Sequence, residues 1–446
     1  MRINIKHPEI FSAFFNEVTK MHLNRPIGGI STDSRQIKEN DLFIALEGKN
    51  YNGNDFLQKV LKNGASAALV SKINKNLDFQ QIKVKSPLET LNKLANLWRE
   101  QFEIPVIAIT GSNGKTSTKE LLSHILSCKY NIHFTKGNFN TSIGLSLTLL
   151  ELDNSHNISI IELGSSSPGE IKKLCDISKP THGLITNIAP AHLEGFGTIE
   201  KIIKEKSQLF NSLKKGISFV NKTDKKIEKL KFEGEKITFG LTPDCDFPAD
   251  INIEQNGTLT LIINSHIIQT NSYNLSFIKN SLSCAAISMT LGINKKELKS
   301  KIQSFVPPAG RCYVKHINGV TIIDDTYNAN LISSIAALEY LNAFSGEGRK
   351  IFVFGDMFEL GDKSSEQHIK IGKKCSKLKI DSVFTIGEET RHTYSAIDNQ
   401  TIHEHFNSRE KMIDSIKNYV RPGDKILFKG SRGMKMEKII EGVFTY

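Results

Sequence analysis

The chain has 446 residues, 39% apolar and 24% charged, and 58 basic against 47 acidic side chains give it a formal charge of +11. That composition excludes a disordered chain, and the length exceeds one ordinary core of roughly 100–200 residues, so two or three domains are expected. No run approaches the roughly 20 apolar residues of a membrane helix, the lysines are dispersed instead of forming one stripe, and the six cysteines include no close pair, so membrane insertion, a nucleic-acid partner, a zinc site and a disulfide framework are not expected.

In chain order, Met1–His7 leads into Phe11, Phe14 and Phe15, interrupted by polar residues and without a cleavage site. It reads as a first helix and not a signal peptide, which places the protein in the cytoplasm. A first block to residue 85 mixes short apolar runs with turn-rich stretches such as Asn50–Asn54. A second block, 86–309, opens with the helical pattern Leu88, Leu91, Leu94, Leu97, Trp98 and enters the apolar run Val106–Ile109. Strand-like runs recur at Ile158–Ile161, Gly183–Thr186 and Ile217–Val220 with helical patterns between them, as in βαβ units around a parallel sheet. Pro307-Pro308-Ala309-Gly310 ends that block as a hinge. In the third block, 310–446, strands are expected at Val320–Ile323, Ile351–Phe354, Ser382–Ile386 and Ile426–Phe428, with helices over Ile335–Phe344, Gln367–Leu378 and Met412–Val420. The fold class is α/β in three domains.

After the run Val106–Ile109 come Thr110, Gly111, Ser112, Asn113, Gly114, Lys115, Thr116 and Ser117, a glycine turn and a Lys-Thr pair opening a helix. Glycines let backbone N–H groups converge on phosphate oxygens, and the helix N-terminus adds partial positive charge. Lys115 then reaches the β- and γ-phosphates and the Thr116 hydroxyl ligates Mg²⁺. Ile109 stands where the common pattern has its first Gly, so the loop is a Thr-Gly-x-x-Gly-Lys-Thr variant. ATP is the expected ligand.

Glu162 ends the strand at Ile158–Ile161, where a carboxylate projects into the crevice that binds ligands in α/β sheets. His192 follows the strand ending near Ile188 and, with Glu162, is a candidate ligand for a divalent cation bridging phosphates; a loop histidine with a local hydrogen bond is the plainer alternative. Lys206 has apolar residues at −7, −4, −3, +3, +4 and +7 (Ile199, Ile202, Ile203, Leu209, Phe210, Leu213), at the centre of a helix's apolar stripe. Burial there disfavours the charged form, and a neutral amine can take up CO₂ as a carbamate. A snorkelling lysine or a buried ion pair fits the same position.

Together, Thr110–Thr116, Glu162-Leu163-Gly164, Asn187–Glu194 and Lys206 resemble the Mur ligase superfamily in order and spacing. Within it, Asp324–Asn330, Phe354–Gly361 and Lys429–Gly433 are most similar to the member that adds D-alanyl-D-alanine to a UDP-N-acetylmuramoyl tripeptide. The resemblance implies a small N-terminal UDP-sugar-binding domain, a central P-loop ATPase-like parallel sheet and a C-terminal Rossmann-like domain that takes the dipeptide. It implies that Lys206 is a carbamate near a second Mg²⁺, that Ser31, Ser34 and Arg35 meet the UDP moiety, and that Asn138, Asn140 and Thr141 meet the muramyl peptide. Arg311, Asp325 and Asn280 are implied to contact the nucleotide. The family's usual His-Asn reads Lys279-Asn280 here, and a proline frequent after Asn330 is Leu331.

The implied reaction activates the peptide carboxylate as an acyl phosphate and transfers it to the dipeptide amine, with Mg²⁺, Lys115 and loop N–H groups stabilising charge and no covalent protein nucleophile. A monomer acting on small molecules is expected. Two other readings are a folylpolyglutamate synthase-like ligase, which lacks a uridine-binding first domain, and an ATP-binding regulatory or nucleic-acid-binding protein, suggested by charge alone.

Overall fold

The computed structural model describes residues 1–48 and 51–444; Asn50, the start of one turn-rich stretch, and the last two residues of the third block lie outside the described residues. Three parallel-rich sheets succeed one another along the chain.

The first contains β1 (Arg2–Asn4), β2 (Gly29–Ser31), β3 (Asp41–Ile44), β4 (Ala67–Val70) and β5 (Gln80–Lys83) in that spatial order, parallel except for β1 against β2. The opening residues are thus a strand and not part of the first helix. Ile3 and Ile5 alternate inward, and the helix waits for Pro8, whose fixed φ suits its first turn.

Helix α1 (Pro87–Glu100) connects this sheet to the next. Ser86 caps it by accepting the Glu89 N–H at 3.2 Å, and its apolar face carries Leu91, Leu94 and Trp98 into a single core with Phe11, Phe15, Ile30 and Leu42 from the first sheet's side. Val106 and Ala108 of the second sheet close the same core from the other side.

The second sheet has nine strands: β6 (Val106–Thr110), β7 (Ile132–Phe134), β8 (Ile158–Glu162), β9 (His182–Ile185), β10 (Ile217–Asn221), β11 (Glu235–Gly240), β12 (Phe247–Ile253), β13 (Leu259–Ile263) and β14 (His266–Gln269), ordered β14-β13-β12-β11-β10-β9-β6-β8-β7. Only β12–β13–β14 pair antiparallel. This meander is not foreseen from sequence, because its short runs are interrupted by Asn, Asp and Thr. The central strand β6 is buried at every position, as a strand covered on both faces should be, and its chain neighbours diverge to opposite sides. The carboxyl ends of β6, β8 and β9 therefore meet at the switch point where α/β sheets bind ligands.

The third sheet is ordered β15-β16-β20-β17-β18-β19 from β15 (Tyr313–Ile317), β16 (Val320–Asp325), β17 (Lys350–Gly355), β18 (Ser382–Ile386), β19 (Ile402–Phe406) and β20 (Lys425–Lys429). Its alternating residues feed two separate cores, Ile323, Phe352, Phe354 and Leu427 on one face and Ile322, Val353, Ile426 and Phe428 on the other. Helices at Leu331–Ala343, Ser364–Lys377 and Arg409–Tyr419 match the expected positions, each starting several residues earlier; the last two open on polar first turns that carry no apolar periodicity. The edge strand β19 escapes a hydropathy reading, since His403, Glu404 and His405 fill its middle.

Arg99, buried near the end of α1, donates to the carbonyls of Phe102 (2.6 Å), Ser178 (3.1 Å) and Lys179 (3.3 Å), satisfying carbonyls at the end of the helix Glu170–Ser178. Arg99→Ala strands these acceptors and should lower unfolding free energy by about 3 kcal/mol, read as a lower urea midpoint at unchanged m-value.

Candidate active site

The phosphate loop joins β6 to α2 (Lys115–Leu126). Gly111 takes φ of 144°, and a Cβ there would sit 2.0 Å from Thr186 Oγ1. Gly114 caps α2 with φ of 81°, and its Cβ would lie 2.9 Å from Asn280 Oδ1. Both positions demand glycine by conformation and by space. The loop is braced from the side by the segment after β9. Asn113 N–H donates to Asn187 Oδ1 (3.1 Å), Thr186 Oγ1 donates to the Asn113 carbonyl (2.6 Å), and Ser112 Oγ donates to the Ala189 carbonyl (2.7 Å). Asn187 opens the motif Asn187–Glu194 and Thr186 ends the run before it, but neither was given a role from sequence.

Lys115 Nζ folds back onto the Gly111 carbonyl at 2.8 Å, and desolvation pushes its pKa down against the opposing pull of Glu162. Thr110 is buried with its hydroxyl on the Leu163 carbonyl, and Thr116 and Ser117 occupy the half-buried first turn of α2.

Glu162, buried at the end of β8, accepts from Asn140 Nδ2 at 2.8 Å through Oε1; its Oε2 is buried without a partner among the described residues. Asn140, expected to meet the muramyl peptide, here orients the carboxylate. Asn138 and Thr141 are exposed on the same loop. Beneath it, the fully buried Lys119 ammonium donates to the Thr135 carbonyl.

His192 starts a short turn of helix in the left-handed region, φ 51°, and its Nδ1 bonds the Glu359 carboxylate of the third domain. Desolvation lowers its pKa, Glu359 opposes, and Lys115 and Lys206 add to the lowering. Lys206 lies on α3 (Ile199–Asn211), is 2% exposed, and donates to Ser165 Oγ at 2.6 Å. Burial, helped by the Lys115 charge, brings its pKa down to about 7. Its neighbour Glu205 is also buried, accepting the Gly169 and Ile171 N–H groups at 2.7 Å each, so it does not pair with the amine.

From the third domain, Arg311 donates to Thr116 Oγ1 at 3.2 Å and stacks on Tyr327 at 3.8 Å, leaving a buried Nε without a partner among the described residues. Asn330 Nδ2 reaches Asn113 Oδ1 at 2.7 Å. Asp325 is occupied by Lys429 at 2.5 Å and by the Cys312 N–H at 3.1 Å, an ion pair spanning 104 residues of sequence that no spacing could announce. Ser31, Ser34 and Arg35 make their contacts within the first sheet's own domain. The Ser31 hydroxyl donates to the Asp33 carbonyl, Ser34 O accepts from Asn63, and exposed Arg35 pairs with Asp33, holding that carboxyl well below its usual range.

Among the described residues no three His, Cys, Asp or Glu side chains form a ready metal cluster. The unpartnered Glu162 oxygen, the Thr116 hydroxyl and His192 suit Mg²⁺ instead, which keeps waters and phosphate oxygens for the rest of its shell. A buried amine near pKa 7 suits carbamate formation.

These parts define an α/β nucleotide-binding enzyme in which a second α/β domain leans over the phosphate loop. The Mur ligase middle domain matches residues 109–288, the Mur ligase glutamate ligase domain 310–432, and the Mur ligase family catalytic domain 26–99. The chain belongs to the Mur ligase family. It is 31% identical to UDP-N-acetylmuramoyl-tripeptide–D-alanyl-D-alanine ligase of Bacillus subtilis, with 93% of each chain covered, and 36% identical to that of Buchnera aphidicola from Baizongia pistaciae, with 93% and 92% covered. MurF from Acinetobacter baumannii superposes with a TM-score of 0.87 at 26% identity over 98% of both chains. MurF ligase from Thermotoga maritima, solved in complex with ADP, gives 0.81 at 29% identity over 93% of this chain and 96% of that one.

Gly114→Ala should weaken ATP binding by on the order of ten-fold, since a left-handed alanine costs roughly 1–2 kcal/mol and its methyl displaces Asn280; titration calorimetry on the purified protein checks this.

Proposed function

We propose that this chain is the ATP-dependent ligase that joins D-alanyl-D-alanine to UDP-N-acetylmuramoyl tripeptide in peptidoglycan precursor synthesis, acting in the cytoplasm as a monomer. Residues 1–85 take the UDP-sugar, with Ser31, Ser34 and Arg35 nearest the nucleotide diphosphate; 86–309 bind ATP; 310–446 bring the dipeptide. The observation that carries the reading is the phosphate loop faced by a buried, half-satisfied carboxylate on one side and by an arginine from another domain on the other.

The substrate carboxylate is a poor electrophile, so its oxygen attacks the γ-phosphorus, ADP departs, and the acyl phosphate supplies a leaving group. The dipeptide amine then attacks the acyl carbon, phosphate leaves, and the amine gives up a proton. Lys115, released from the Gly111 carbonyl, binds the β- and γ-phosphates, and the N–H groups of Gly111 and of Gly114 to Thr116 hold the same oxygens, those of Ser112 and Asn113 being engaged by Asn187. Arg311 neutralises charge on the nucleotide, and Asn280 packs beside the loop toward the base. Asn138, Asn140 and Thr141 border the muramyl peptide, Asn140 while holding Glu162 in place. Thr116, Glu162, His192 and Lys206, as its carbamate, would hold Mg²⁺, which would supply charge neutralisation at the transferring phosphoryl group. Third-domain residues around Arg311, Asp325 and Asn330 cover the loop and keep water from the acyl phosphate.

A coupled ADP assay with the UDP-tripeptide should give sustained turnover only when D-alanyl-D-alanine is present, and turnover with folate substrates in its place would refute the assignment. Lys206→Ala should lose nearly all turnover and regain none with added bicarbonate, because no amine remains to carry the carboxyl group; near-normal activity would remove the carbamate role. In the native protein, carbamate occupancy at fixed CO₂ should rise with pH through about 7, where the Lys206 amine loses its proton, and ¹³C NMR with labelled bicarbonate follows it.

A further inference from the structure

The motif Phe354–Gly361 leads out of β17 at the carboxyl edge of the third sheet. Most of it builds its own loop. Asp356 accepts the Thr390 N–H at 2.8 Å, the Met357 N–H donates to His368 Nε2 at 3.1 Å, and the Phe358 N–H donates to Ser431 Oγ at 2.7 Å. Phe358 and Glu359 turn outward, Glu359 with its side chain 54% exposed and its backbone left-handed at φ 62°.

It meets a second left-handed residue, His192, from the central domain. Two bonds join them: His192 Nδ1 to the Glu359 carboxylate, and the Glu194 N–H to the Glu359 carbonyl at 3.3 Å. Non-glycine residues hold such backbones only where their surroundings over-determine them, and here each loop supplies the other's surroundings. An incidental surface ion pair would need neither the strain nor the backbone bond.

A carboxylate can only accept, so Nδ1 carries the proton and Nε2 is left with its lone pair. Metal-ligating histidines are typically held this way, the nitrogen away from the metal donating to a carboxylate. The unusual element is that the carboxylate comes from another domain.

We propose that Glu359 is a positioning residue that fixes the tautomer and ring of His192 for the Mg²⁺ of the nucleotide site, and does so only while the third domain is docked. Metal binding and docking then strengthen each other, since each favours the same arrangement. This rests on the ligase reading, in which His192 faces the metal.

The test compares the full-length protein with Glu359→Gln and Glu359→Ala, both at an exposed side chain whose loss should leave the thermal midpoint almost unchanged. Mn²⁺ is titrated by electron paramagnetic resonance in the presence of a non-hydrolysable ATP analogue, and hydrogen exchange is followed in segments 191–195 and 356–361. Both variants should bind Mn²⁺ about ten-fold or more weakly. In the wild type, metal and nucleotide should slow exchange in both segments; at saturating Mn²⁺ the variants should show slowing in the first alone. Wild-type Mn²⁺ affinity in the variants, or equal protection of both segments, overturns the inference while leaving the ligase reading intact. Absence of any nucleotide-dependent Mn²⁺ binding by the wild type would instead overturn both.

Discussion

Everything in the site depends on the pressing of the 111–115 turn against Thr186 and Asn187. The backbone at Gly111 comes so near the Thr186 hydroxyl that no side chain fits between them, and three hydrogen bonds from the 186–189 segment hold the turn open toward its ligand. A flexible turn would have to order its N–H groups each time a triphosphate arrived. This one arrives ordered, so binding energy is available for chemistry. Because the same segment continues into His192, the phosphate cradle and the candidate metal ligand share one mechanical support.

The site is also a place of costly burial. Lys115, Lys206 and Glu162 are withdrawn from water in close company, and the lysines respond by losing basicity. A structure selected for stability alone would replace Lys206 by an aliphatic residue, which the surrounding Ile202, Leu209 and Phe210 would accept. Its place at the centre of an apolar stripe is costly for stability and is what the proposed carbamate role would require.

How far the chain could be read without its structure follows from range. Lys206 was visible because helical periodicity is local, and the phosphate loop because its strand, glycines and Lys-Thr pair are contiguous. The parallel strands of the second and third sheets were visible as apolar runs. Hidden were features whose partners lie far along the chain: Asp325 with Lys429, Glu359 with His192, Arg311 with Thr116. Hidden too were elements with polar interiors, such as the β12–β14 meander and β19. Asn140 was assigned from resemblance to the substrate, yet its side chain is engaged by Glu162, a detail of side-chain direction that no motif encodes.

The first and second sheets share one continuous apolar core through Leu91, Leu94 and Trp98, whereas the third has two cores of its own and touches the second through hydrogen bonds and an aromatic contact of Tyr273 on Phe344. The chain is therefore mechanically two bodies and not three. The front pair forms a single block around one core, and the rear block is joined to it past Pro307–Gly310 by polar contacts and the Tyr273–Phe344 pair. A hinge at Pro307–Gly310 would swing the rear block, with the front pair as its fixed anvil.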